Sequence, residues 1–110
     1  MRIAMSPAAA GLLRALLGRA GVDRDRILLT EFRSADWQSL TFVGERHEFE
    51  LRICGDDALH VLARTVAALD EAEFAIPGHL VADIAVVGEP RRCEDGSVTV
   101  ALEALTVAQD

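Results

Sequence analysis

The residues of this chain with the widest chemical range are three histidines, His47, His60 and His79, and two cysteines, Cys54 and Cys93. His47 sits in "GERHEFELRI", Gly44 to Ile53, two residues after Glu45. Alternate residues of an extended chain share a face. Glu45 and His47 therefore stand side by side, with Phe49 and Leu51 on the same side. An imidazole on an apolar face beside a carboxylate can serve as a general base. The plainer reading is a core-edge histidine held by a backbone group. Cys54 closes this strand, and His79 precedes the next one. The two are expected at one end of a sheet, with Cys93 at the other. Such a Cys–His pair could hold a metal or act as nucleophile and base. His60 is expected on the exposed side of a helix.

The chain lacks the spacings that make such chemistry specific. It has no CxxC, HExxH, GxGxxG, GKS/T or GxSxG, so no cofactor and no metal are expected. Trp37, beside Asp36 in "SADWQS", is the lone tryptophan. It could anchor a partner or a ligand, or cap the end of a core. "EPRRCED" balances Arg91 and Arg92 against Glu89, Glu94 and Asp95, which reads as a solvated loop.

Composition bounds the rest. The chain has 110 residues, one domain's worth (residues 1–110), and 51% of them are hydrophobic. The net charge is −7 and the pI about 4.8. An acidic surface does not suit nucleic acid or an anionic membrane, which need clustered cations. All the basic residues are Arg, and Lys, Tyr and Asn are absent. This is the bias of a GC-rich, bacterial gene. Two cysteines outside any paired motif read as reduced thiols, which predicts the cytoplasm. Arg14 and Arg19 interrupt the apolar run near the start, so that run reads as a helix and not as a secretory leader.

The elements that must position these residues follow from periodicity. Ser6 and Pro7 open a first helix whose stripe is Leu12, Leu13, Leu16, Leu17 and Ala20, and Gly21 stops it. Strand one is expected near 26–33, then a turn at "SADWQS". Strand two is expected from about Leu40 to Cys54, with a bulge at Gly44 where the faces exchange. Asp56 or Asp57 can cap a second helix with the stripe Leu59, Leu62, Val66 and Leu69. Strand three is expected near 80–87, a loop at "GEPRRCEDG", and strand four near 98–107.

The order αββαββ is a pseudo-repeat of about fifty residues. It predicts an α+β fold: a four-stranded, mostly antiparallel sheet with both helices on one face. This is a ferredoxin-like order with its first strand moved to the end, placing strands two and four in the centre. Such a sheet leaves one face open. Strand two marks it with Arg46, Glu48, Glu50 and Arg52, while the other strands carry apolar residues on both parities. A sheet that is apolar on both faces is usually covered on both, and a second copy of the chain could supply the cover. Mixed charges are self-complementary across a two-fold axis.

The function expected is thus a non-catalytic, self-associating interaction module, a homodimer. It would bind through Arg46, Glu48, Glu50, Arg52 and Glu103, with Trp37 at the margin. One alternative is a small enzyme with a subunit-interface pocket using His47 and Glu45. Another is a metal protein using Cys54 and His79. No small-molecule ligand is identified by the sequence.

Overall fold

The computed structural model describes residues 4–109. Two helices, α1 (Pro7–Ala20) and α2 (Ala58–Val66), alternate with two pairs of strands: β1 (Ile27–Gln38), β2 (Val43–Ile53), β3 (His79–Arg92) and β4 (Val98–Ala108). The sheet order is β1-β2-β4-β3 and every pairing is antiparallel. The central and edge strands are the expected ones, and nothing in the order or directions conflicts with the permuted ferredoxin-like arrangement.

The start of α1 follows the chemistry of its first residues. The Ser6 hydroxyl accepts the Ala9 amide at 3.1 Å, and Pro7 occupies the first turn. At its end Gly21 takes the left-handed conformation, φ 68°, which costs glycine little. The helix ends also serve each other. Arg19 of α1 donates to the carbonyl of Thr65 at 2.9 Å and to that of Ala67, while Arg64 of α2 donates to the carbonyl of Ala20 at 2.8 Å. Guanidinium groups thus meet the unpaired carbonyls at both C-termini, where the helix dipole favours a cation. Asp57 holds the capping position of α2 but makes no side-chain cap. It pairs with Arg26 instead.

One face of the sheet packs on the helices. Phe49, Leu51 and Ile53 of β2 and Val98, Val100 and Leu102 of β4 meet Leu12, Leu16, Val61 and Leu62 in one buried cluster. Removing each large apolar side chain from water contributes about 1.5–3 kcal/mol.

Several expectations need correction. "SADWQ" is strand and not turn, because β1 stays paired with β2 as far as Gln38 opposite Val43. No register shift occurs at Gly44. The shifts lie in the edge strands instead, at Thr30 of β1, at Ala82 of β3 and between Val87 and Arg91. Each single extra residue exchanges the faces beyond it. Phe32 therefore joins the core face, opposite Phe49, and Leu80 joins the open face with Val87. Most of the "GEPRR" segment is strand too, extending β3 to Arg92.

Candidate functional site

The open face reads as a set of rows across β1, β2, β4 and β3. The first row is apolar: Trp37, Gly44, Val107 and Leu80. Next come Ala35, Arg46, Leu105 and Asp83, then Arg33, Glu48, Glu103 and Ala85. The fourth row is Glu31, Glu50, Ala101 and Val87, and the last is Leu28, Arg52, Thr99 and Arg91. The sheet brings all six expected interface residues onto this one surface. Trp37 belongs to it as a strand residue and not as a loop anchor.

The charges on this face are partly spent within the chain. Arg33 donates to Glu48 at 2.7 Å. Arg52 donates to Ser97 at 2.9 Å and to Asp95 at 2.7 Å, tying β2 to the β3–β4 turn. Asp95 also accepts the Ser97 amide and hydroxyl. These bonds hold the Asp95 carboxyl below its ordinary pKa, the Ser97 hydroxyl being the largest cause. Arg91 lies 3.9 Å from Glu50. Arg46 and Glu103 make no ion pair among the described residues, and Glu103 faces the like charge of Glu48 across the ladder.

Between the side chains lies a cleft of about 470 Å³, walled by Glu31, Arg33, Glu48, Glu50 and Val87 over the small Ala101. Its floor is the sheet, with the helices packed on the reverse face. Val87 on its wall is 47% exposed, and Leu80, farther along the same face, is 50% exposed.

His47 is on the opposite face and is fully buried, with 0% exposure. Its Nδ1 lies 2.6 Å from Ser34 Oγ and its Nε2 2.8 Å from Thr106 Oγ1. Thr106 in turn donates to the Glu45 carbonyl. Every atom is satisfied when Nε2–H donates to Thr106 and the Ser34 hydroxyl donates to Nδ1. The imidazole thus ties β1, β2 and β4 together and does not line the open-face cleft. Burial pushes its pKa below 6.5, Glu45 opposing and His79 adding to the shift. Its partners are side-chain hydroxyls, not the backbone group expected. Register alone brings Ser34 and Thr106 to it, and the linear sequence carries no signal for either.

Cys54 and His79 do not meet. Both β2 and β3 pair antiparallel with β4, so they run parallel to each other. Cys54 follows the end of β2, and His79 opens β3 at the opposite end of the sheet. Cys93, expected far from Cys54, follows β3 at the Cys54 end. Among the described residues no group of three or more His, Cys, Asp or Glu could hold a metal ion. His60 is exposed on α2.

Sequence reading also missed the tip of the β1–β2 hairpin. Leu40 and Phe42 project from it, Leu40 at 105% exposure. The available signal was two large apolar residues in "SLTFV", outside any stripe that could bury them.

Among the described residues, no helix is long and apolar enough to cross a membrane. No protein-family model and no curated protein matches the chain. Among solved structures, a chain of the virion of the native gene transfer agent (GTA) particle is similar in fold. Its TM-score is 0.61 at 15% identity, over 96% of this chain and 100% of that one.

Proposed function

We propose that this protein is a non-catalytic structural subunit that associates with copies of itself through the open face of the sheet. The observation that carries the reading is that face. Leu28, Leu80 and Val87 stay about half exposed on it, Val87 at the wall of the cleft, while the helices pack on the other side. A second layer over such a sheet removes that apolar area from water. The unpaired Arg46 and Glu103 have opposite signs and can meet their counterparts across a two-fold axis. The GTA particle that contains a chain of this fold is a virion, a setting in which a small subunit works by contact with its neighbours. The acidic surface fits a protein partner better than nucleic acid or membrane. The two free thiols fit the cytoplasm.

Native mass spectrometry at low micromolar concentration tests the reading. An assembly of bare mass is expected. Leu80→Asp with Val87→Asp should weaken it at least tenfold and leave the urea midpoint of the separated chain unchanged. A wild-type chain that stays monomeric to about 100 µM, weaker than most specific complexes, ends the proposal.

A further inference from the structure

The hairpin tip and the outer edge of α1 are two more apolar features, and neither is part of the open face. The tip is Ser39 to Val43. Leu40 is fully exposed, and Phe42 and Val43 are more than half exposed. Its shape is fixed: the Ser39 amide donates to the Phe42 carbonyl at 2.8 Å, and the Ser39 hydroxyl accepts the Phe42 amide at 3.1 Å. Apolar side chains on a pre-shaped projection lose little conformational freedom on docking.

The second feature is a groove of about 410 Å³ between α1 and edge strand β1. Leu13, Leu17, Ile27, Leu29 and Leu51 form its walls, and Arg24 and Asp25 stand at the rim. An apolar cavity of about 150 Å³ accepts a benzene ring, so this groove has room for a phenyl ring and an aliphatic neighbour. Arg24 makes no ion pair among the described residues. On the flank of the hairpin, Asp36 and Glu45 lie opposite each other, two like charges with no cation paired to them among the described residues. Tip and groove are therefore matched in size and apolar character, and of the two rim charges Arg24 is opposite in sign to the acidic flank while Asp25 is like it.

A chain cannot seat its own tip. Leu40 and the groove residue Leu29 are eleven positions apart on one extended hairpin arm, roughly 35 Å at about 3.3 Å per residue. We infer that the groove receives the Leu40–Phe42 tip of a second copy of this chain. The contact joins two different surfaces, so each copy keeps one tip and one groove free for further neighbours. Such head-to-tail contacts propagate or close into a ring. The bulge at Thr30 interrupts β1 and disfavours simple edge-to-edge strand pairing as the alternative. The inference rests on the self-association proposed above and extends it from a pair to a larger assembly.

Two measurements test it. Native mass spectrometry compares wild type, Leu40→Asp with Phe42→Asp, and Leu80→Asp with Val87→Asp. A charge on a buried anchor weakens association by about thirtyfold or more, so the tip variant should lose the largest species. Separately, Leu40→Cys and Leu13→Cys chains are mixed and oxidised, and the linked peptides are identified by mass spectrometry. The expected result is a disulfide from the tip of one chain to the groove of another, in excess over disulfides joining two tips. An unchanged assembly in the tip variant overturns the inference and leaves the open-face reading standing. Links only between two tips, or none, also overturn it. A tip variant that disassembles while the open-face variant stays assembled overturns the open-face reading alone. A monomeric wild type overturns both.

Discussion

On its helix-covered side β2 presents His47, Phe49, Leu51 and Ile53, none more than 2% exposed. On its other side the same eleven-residue strand presents Arg46, Glu48, Glu50 and Arg52, bonded loosely along the surface or not at all. The covered side of β2 is packed. Its apolar groups touch one another, and no buried side-chain nitrogen or oxygen among the described residues lacks a partner. The open side leaves half-exposed aliphatic residues beside unpaired charges. One backbone therefore supports a finished interior and a surface still short of neighbours. The contrast separates what makes the chain fold from what it offers once folded.

The sharpest way to break the contrast is to truncate both sides alike. Leu51→Ala or Leu102→Ala should cost about 3 kcal/mol, because each leaves a cavity in a packed interior. Val87→Ala on the open side should cost under about 0.5 kcal/mol in the monomer. Urea midpoints decide, and similar losses on the two sides would mean that the open face is not open. Gly44→Ala probes the seam between the sides. A Cβ there would lie 1.9 Å from the Thr106 carbonyl oxygen, so β2 and β4 would have to part. The expected cost is about 2–3 kcal/mol, and an unchanged midpoint would show the strands to be less close than the structure has them.

Gly44 also shows why parts of this architecture are legible in the sequence and others are not. The helix boundaries are local chemistry, so Ser6, Pro7 and Gly21 announce α1 directly. The faces of β2 from Glu45 onward and of β4 follow strict alternation, and there the pattern holds, whereas the exchange expected at Gly44 does not occur. The pattern fails in the edge strands, because each bulge adds one residue and reverses the parity after it. Phe32 leaves the face of Leu28, two periods of the alternation away, and Leu80 shares a face with Val87 for that reason. Turn-forming residues mislead in the same strands: "SADWQ" stays extended because pairing with β2 outweighs its weak strand preference. Pro90 is tolerated because β3 is an edge. The open-face residues are recognisable as a group, since charge on one parity of β2 is visible in the sequence. The hairpin tip is not, because Leu40 and Phe42 read as part of the strand.

A smaller effect tests the polar atoms of the covered side. Burial favours neutral His47 in the folded chain, so its folded pKa lies below 6.5. The unfolded chain then binds more protons as the pH falls below that value. Stability is accordingly full above about pH 6.5 and declines as the pH drops toward the folded pKa. His47→Leu should cost about 1–2 kcal/mol at pH 7.5 by stranding the Ser34 and Thr106 hydroxyls. It should also flatten the dependence between pH 7 and 5. A variant as pH-sensitive as wild type in that window would place the titrating group elsewhere.

The smallest effect belongs to the open side, and it bears most directly on function. Arg33 and Glu48 are both well exposed, so Arg33→Ala should lower monomer stability by no more than about 0.5 kcal/mol. If the face is covered by another copy, the same pair is drawn out of water in the assembly, where leaving Glu48 without its partner costs more. Arg33→Ala should therefore shift the assembly's dissociation constant by more than it shifts the monomer's urea midpoint. Concentration-dependent native mass spectra and monomer unfolding curves, measured on the same variant, give the two numbers. Equal effects would leave the pair a solvated surface contact in both states and remove it from the interface.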